Sequence, residues 1–311
     1  MEEVGRVFRI VHISDLHVLS QRGTKWRQVL FNKRLTGYAN LLLHRGRVYR
    51  REYLVAVLSE AAAWADHVVV TGDITNLSLE EEFQEARALL DGVGRTVELT
   101  VVPGNHDAYL PSVQMERRFP HYFGAFLRSD LPELARDLLV GPFPCVKLRG
   151  PAAIIALSSA VPRPPFVASG RVGDAQFAAL QEVLAHPEVV RRTPVVLVHH
   201  PPVDERFRLA QLRDGLVDGK RLRSVLAPLS RGLVLFGHLH VRLRRRLRTA
   251  AGALHAIAAS GAALDHPDPT VRAGFNAYAI GDDGDLATAE AHVVVLGGGG
   301  LGRLPIPEEI G

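Results

Sequence analysis

Five short polar clusters hold the residues in this sequence best suited to chemistry: Asp15-Leu16-His17, Gly72-Asp73, Gly104-Asn105-His106-Asp107, His199-His200-Pro201 and Gly237-His238-Leu239-His240. Six of the 14 histidines fall inside them, where even scatter would place roughly 0.7. Imidazole combined with carboxylate oxygen and few thiols suits Mn, Fe or Zn better than Ca or Mg. The expected chemistry is therefore that of a bound transition metal.

Each cluster taken singly has a plainer reading, and the case rests on their company. Asp15 and His17 occupy alternate positions, so at the end of an extended segment both would point to one side; alone, the tripeptide is an ordinary capped loop after a strand. Gly72 lets the backbone turn sharply where the Asp73 carboxylate could bridge two cations about 3.5 to 4 Å apart, although Gly-Asp is also a common turn. The run from Gly104 to Asp107 offers an amide ligand in Asn105, a titratable group in His106 and a carboxylate in Asp107 able to orient it. His238 and His240 repeat the alternate spacing and could direct one imidazole to each metal. His199 and His200 are adjacent, so on extended backbone they point apart and only one can be a ligand. The other becomes a supporting or wall residue. His12, His44, His67 and His255 have no such company and are expected to be structural or surface groups.

The elements that must position these clusters are short and alternate in kind. Val7 to Ile13, His67 to Val70, Val97 to Val102, Ala153 to Leu157, Val195 to Val198 and Leu233 to Phe236 are expected as buried strands. Helical spacing of apolar residues marks Tyr53 to Ala65, Leu79 to Leu90 and Asp174 to Leu184. Alternation of the two favours parallel βαβ units, and ligands of such sheets bind beyond the carboxyl ends of strands, where all five clusters lie. Ser78 with Glu81 predicts a capping box, with Gly92 and Gly94 ending the helix. Ala277 to Ile280, a turn at Asp282-Asp283-Gly284, and Ala291 to Leu296 predict an antiparallel hairpin. Pro162, Pro164 and Pro165 mark a loop within one domain of residues 1–296. The glycine-rich residues 297–311 are expected as a flexible tail.

Composition excludes whole classes. With 311 residues, 47% hydrophobic and 23% charged, the chain matches a folded globular protein and no fibrous or disordered one. No apolar run reaches the roughly 18 residues needed to span a bilayer, and the start at Met1-Glu2-Glu3 is acidic, so a cytoplasmic protein is expected. A single cysteine, Cys145, rules out an internal disulfide and a cysteine metal site. The net charge of +4 is unevenly spread: basic residues crowd Arg22 to Arg51, and five arginines lie between Arg242 and Arg248. Such runs form solvated faces or attract an anionic substrate or surface. Residues 21–52 also carry Trp26, Leu30, Phe31, Leu35 and Tyr38. They read as a basic, partly apolar lid beside the first cluster, able to pack over the sheet edge or to meet phosphate, an acyl chain or a membrane face.

The five clusters, in this order, resemble the pattern of the calcineurin-like metallophosphoesterase superfamily, with the match running from Ile10 to about Ile280. The resemblance implies an α/β fold, a four-layer αββα sandwich of two mixed sheets. It also implies a dinuclear centre of divalent or mixed-valence Mn, Fe or Zn. Carried over by motif, Asp15, His17, Asp73 and His240 would hold one ion and Asp73, Asn105, His199 and His238 the other. His199 is preferred to His200 because the family places this ligand two residues before a proline. His106 would face the substrate together with Asn105, Asp107 would support His106, and a hydroxide bridging the metals would attack phosphorus.

His-His-Pro-Pro and Gly-His-Leu-His look like the motifs of class III cyclic nucleotide phosphodiesterases. A cyclic nucleotide or other small phosphodiester is thus the first substrate reading. The basic lid raises a second, a lipid-linked nucleotide pyrophosphate such as UDP-2,3-diacylglucosamine, with peripheral membrane contact through residues 21–52. A third is a non-catalytic metal-binding scaffold, although scaffolds of this superfamily tend to lose ligands and here every ligand position is filled. Without long heptads or a separate basic domain, no dedicated nucleic-acid module is expected.

Overall fold

Valine- and isoleucine-rich runs form the strands and amphipathic segments the helices of this computed structural model, which describes residues 7–19, 49–203 and 208–309. In the first sheet, β1 (Phe8–Ile13), β2 (His67–Val70) and β3 (Glu98–Val101) run parallel. Helix α1 (Arg51–Trp64) precedes β2, and α2 (Glu80–Gly94) crosses over to β3. In the second sheet, β7 (Ala152–Ala156), β8 (Thr193–Leu197), β9 (Leu233–Phe236) and β11 (Ala253–Ala258) run parallel. Antiparallel strands β6 (Cys145–Arg149) and β10 (Leu243–Arg248) form its two edges.

The period of two along each strand divides the core. Ile154, Val195, Leu197, Leu233, Leu235 and Ile257 of the second sheet join Ile10, Tyr278 and their neighbours of the first in one buried cluster. The alternate residues Ile155, Val196, Val234 and Ala256 pack instead with Phe177, Leu180 and Val183 of α5 (Asp174–Ala185) and Leu222 and Leu226 of α8 (Gly219–Leu226). On the outer face of the first sheet, α1 contributes Leu54, Val57, Leu58 and Ala61, the i, i+3, i+4, i+7 stripe of a half-buried helix. The order of layers is helix, sheet, sheet, helix, as expected.

Ion pairs close the sandwich along one side. Glu98 opens β3, the edge of the first sheet, and receives Lys147 Nζ at 2.6 Å and Arg149 Nε at 2.5 Å from β6, the edge of the second. Arg149 also holds Asp130 at 2.6 Å.

Two expectations are corrected here. The predicted hairpin exists as β12 (Gly274–Ile280) with β13 (Leu286–Val294), but the expected flexible tail contains β14 (Leu301–Pro305), paired antiparallel with β13. Beyond it, Arg244 N donates to Pro307 O at 2.7 Å and Glu309 N to Arg244 O at 2.9 Å. Four glycines form the turn before a strand rather than a disordered end. The cap of α2 is shifted by one residue: Leu79 is the N-cap, and Glu82, not Glu81, accepts from the N–H groups of Leu77 and Leu79 at 2.8 and 3.1 Å. The helix also runs through Gly92 to Gly94. The expected lid over residues 21–52 lies outside the described residues except for its last four. Among the described residues, no helix is long and apolar enough to cross a membrane.

Candidate metal centre

The parallel strands β1, β2, β3, β8 and β9 each end one to three residues before a cluster. Two stacked sheets therefore deliver five loops to one end of the sandwich. Two glycines let the loops of β2 and β3 touch. A side chain on Gly72, which has φ +93°, would stand 2.7 Å from both Gly104 N and His199 Nδ1, and one on Gly104 would overlap Asp73.

All seven predicted ligands come together, in two sets. Around the first, His17 Nε2 lies 3.2 Å from His240 Nε2, 3.8 Å from Asp15 Oδ1 and 3.9 Å from Asp73 Oδ2, and His240 Nε2 is 3.0 Å from Asp15 Oδ1. Around the second, Asn105 Oδ1 lies 3.2 Å from His199 Nε2 and 3.1 Å from His238 Nδ1, and Asp73 Oδ1 is 3.4 Å from His199 Nε2. Ligands sharing one ion at about 2.1 Å stand roughly 3.0 to 3.4 Å apart; the second set and the His240 pairs of the first fall in that range, while His17 stands farther from the two carboxylates, at 3.8 and 3.9 Å. The Asp73 carboxylate turns one oxygen to each.

Donor and acceptor bookkeeping shows that the second set gathers more acceptors than its neutral groups can satisfy. His199 Nδ1 donates to the Thr71 carbonyl at 2.7 Å and His238 Nε2 to the Asp214 carbonyl at 2.8 Å, because a carbonyl can only accept. Their neutral forms then aim two nitrogen lone pairs at an amide oxygen. One positive charge relieves the repulsion, either a proton or a metal ion in its place. Burial opposes a charge on His199, but Asp73, with Asp15 and the Thr71 carbonyl, outweighs it and pushes the imidazole up to about 9. Burial and His199 together push His238 down to about 4. Burial alone would raise the carboxyls of Asp15 and Asp73; His240 for the first and His199 with His106 for the second hold both well below the usual range. The residues fit the cations that the motifs imply.

Backbone geometry departs from the strand logic read in the sequence. Asp15 (φ 50°), His17 (43°), Asp73 (48°), His238 (69°) and His240 (54°) all adopt left-handed conformations. Convergence thus comes from a series of tight left-handed turns rather than from the pleat of an extended segment. Asp and His tolerate this region better than most side chains, yet each such residue stores strain. Cross-bracing holds the turns: His238 N donates to Asp15 Oδ2 at 3.0 Å and His106 N to Asp73 Oδ1 at 2.8 Å.

Around the ligands, the roles separate. His106 Nδ1 donates to the Asn76 carbonyl at 2.5 Å, which leaves Nε2 4.0 Å from Asp73 Oδ2 on the cluster side. Asp107 does not support that ring, contrary to expectation. Its oxygens accept from Gly104 N, Ile74 N, Thr75 N and Thr75 Oγ1 at 2.8 to 3.1 Å, tying the β2 loop to the β3 loop. Burial, then Asp73, pushes its carboxyl up to about 6 against those hydrogen bonds. His200 Nε2 donates to Ala168 O at 2.8 Å, and its Nδ1 pairs with Ser159 Oγ at 2.7 Å. With both nitrogens engaged it is a wall, although it lies close enough to His199 and His238 to join a donor cluster. Tyr49 was not singled out from the sequence. Its ring meets His17 edge-on at 5.3 Å and its hydroxyl lies 3.5 Å from His240 Nδ1. The carbonyls of Thr71, Asn76 and Asp214 were likewise illegible, because a backbone oxygen has no signature in residue type.

Comparison with known proteins gives the family and the fold. The family model described as calcineurin-like phosphoesterase matches residues 8–242. A protein of Rhodococcus erythropolis described as a probable cyclic nucleotide phosphodiesterase is 28% identical over 233 residues, which cover 74% of this chain and 64% of that protein's length. Among solved structures, a dimetal phosphatase from Danio rerio superposes with a TM-score of 0.52 at 16% identity, covering 97% of this chain and 99% of the other. A purple acid phosphatase from yellow lupin (Lupinus luteus) seeds superposes with a TM-score of 0.56 at 11% identity, covering 93% and 52%. At those identities the likeness is one of fold.

Proposed function

The chain belongs to the calcineurin-like phosphoesterase family, and on that footing we propose that it is a phosphodiesterase with a dinuclear metal centre, acting on a cyclic nucleotide or another small phosphodiester. The observation that carries this reading is the Asp73 carboxylate, whose Oδ2 faces His17 and whose Oδ1 faces His199. Asp15, His17, Asp73 and His240 would hold one ion, and Asp73, Asn105, His199 and His238 the other. Two bound ions would neutralise phosphoryl oxygens and lower the pKa of water in the site.

The rest is done by the chain itself. Carbonyls of Thr71 and Asp214 fix the two imidazoles so that the correct nitrogen faces inward. Asn76 turns His106 so that Nε2 points toward the cluster, from where the protonated ring donates to a phosphoryl or leaving-group oxygen, a role worth ~10²–10⁴-fold. Burial of Asp15, Asp73 and His199 keeps these interactions in a low dielectric, where they act most strongly. The diester preference is supported by the likeness to the Rhodococcus erythropolis protein.

The test is a substrate panel on protein loaded in turn with Mn, Fe and Zn: p-nitrophenyl phosphate, bis(p-nitrophenyl) phosphate, cyclic AMP and UDP-2,3-diacylglucosamine. A diester should be turned over with the highest kcat/KM, and His106→Ala should lower it by ~10²–10⁴-fold with metal content unchanged. Preference for the monoester or the lipid pyrophosphate would replace the diester reading. No turnover of any substrate with any metal would end the enzyme assignment.

A further inference from the structure

Two buried histidines outside the five clusters stand on the first sheet in the same local arrangement, and only one of them leads to the metal centre. His12 of β1 and His67 of β2 are both fully shielded from solvent. Each sets Nε2 on a threonine hydroxyl, His12 on Thr71 Oγ1 at 2.8 Å and His67 on Thr100 Oγ1 at 2.9 Å. Burial pushes both imidazoles down to about 3, so each ring is neutral, with one nitrogen that donates and one that accepts. The two threonines differ in place. Thr100 lies inside β3, in the ladder with β2, whereas Thr71 follows the last residue of β2 and starts the turn that carries Asp73.

Thr71 is held on three sides. Its N–H donates to Ile13 O at 3.0 Å, its hydroxyl meets His12, and its carbonyl accepts from His199 Nδ1 at 2.7 Å and from Ser14 Oγ at 3.3 Å. His12 is fixed in turn through its other nitrogen, Nδ1, which lies 3.1 Å from Tyr278 Oη. Its cross-strand partners are Val69 on β2 and Asn276 on β12, so Thr71 and Tyr278, each two residues along, sit diagonal to it on the same face. Asn276 donates to Ala258 O of the second sheet at 2.9 Å, which braces the group from that side. A β-branched side chain has few rotamers, so anchoring its hydroxyl also anchors the peptide group that bears the Thr71 carbonyl. On the dinuclear reading of the site given above, we propose that His12 is a positioning residue for the metal centre: through Thr71 it keeps the His199 ring turned with Nε2 toward the second ion position. His67 and Thr100 show what the same pair looks like when it ends inside a ladder and holds no ligand.

The experiment counts bound ions on the full chain: Mn is titrated calorimetrically, and the ions retained after dialysis are measured by elemental analysis. His12→Gln places its amide where Nε2 stands and keeps a polar group on Thr71. His12→Asn places it where Nδ1 stands and keeps a polar group on Tyr278 alone. Wild type should bind two ions; His12→Asn and Thr71→Val should weaken one of them by about 10–100-fold, while His12→Gln and Thr71→Ser should hold it within about threefold of wild type. His67→Asn and Thr100→Val remove the equivalent contact one strand away, and they should lower the melting temperature while leaving both ions in place. Unchanged affinity in His12→Asn and Thr71→Val would overturn the proposal. So would an affinity that follows the melting temperature across both histidines, whichever contact is kept. Thr71→Val and Thr71→Ser, which differ in the hydroxyl with little change of size, decide the matter by themselves if the His12 variants do not fold. A wild-type chain that binds fewer than two ions would overturn the dinuclear reading itself, and this inference with it.

Discussion

Strand β3 begins and ends in polar clusters of opposite design. At its amino end, Glu98 receives Lys147 and Arg149, and Arg149 is shared with Asp130, so each charge meets its complement. Beyond its carboxyl end, Asn105 and the neighbouring loops bring nitrogen and oxygen acceptors to 3.1 to 3.4 Å of one another around the second candidate ion position and to 3.0 to 3.9 Å around the first. The first cluster is complete as it stands, whereas the second gathers acceptors that a proton or a metal ion must share. Self-sufficiency, rather than polarity or burial, is what separates a clasp from a reactive centre.

The sharpest way to break this comparison is Asp73→Asn. One oxygen stays an acceptor and the negative charge disappears, so turnover should fall by roughly 10³-fold or more, with both ions lost in metal analysis. Retention of two ions would show that Asp73 does not serve both positions. Asp107→Asn should cost less. It weakens the tie between the β2 and β3 loops without touching a ligand, and metal affinity should drop by about 10–100-fold while excess metal restores most of the rate. A loss that excess metal leaves unchanged would make Asp107 part of the reaction itself.

The smallest effect belongs to the clasp. Arg149 first, with Lys147, holds the Glu98 carboxyl down to about 2 from an ordinary 4.5. A depressed folded-state value stabilises the protein above about pH 4.5, and that stability is lost as pH falls toward 2. Glu98 is partly exposed, so Glu98→Gln should lower the melting temperature at neutral pH by roughly 1–3 °C. The difference should vanish toward pH 2, with activity and metal content unaltered. Loss of bound metal in this variant would mean that the two clusters are coupled.

Much of this design could be read from residue order. The six predicted strands and three predicted helices exist because valine runs and the Leu54, Val57, Leu58, Ala61 spacing are strong local signals. The ligands were legible because they sit immediately beyond strands. Their left-handed turns were not, since an Asp-x-His tripeptide looks the same whether extended or tightly wound. The role of Asp107 stayed hidden because its partners, Gly104, Ile74 and Thr75, include residues some thirty positions away. Glycines before Leu301 concealed β14, whose pairing depends on a neighbouring strand already being in place. Edge strand β10, rich in arginine, carried no β signal at all.

The left-handed ligands also carry a consequence for heredity. At Asp15, His17, Asp73, His238 and His240 the backbone would accept glycine with less strain, a relief of about 1 kcal/mol at each position. A lineage that no longer needed its metals would be drawn by stability alone toward erasing them, one comfortable exchange at a time. None of the five positions is glycine in this chain. Each of these five loop positions therefore holds a side chain where glycine would be the less strained choice.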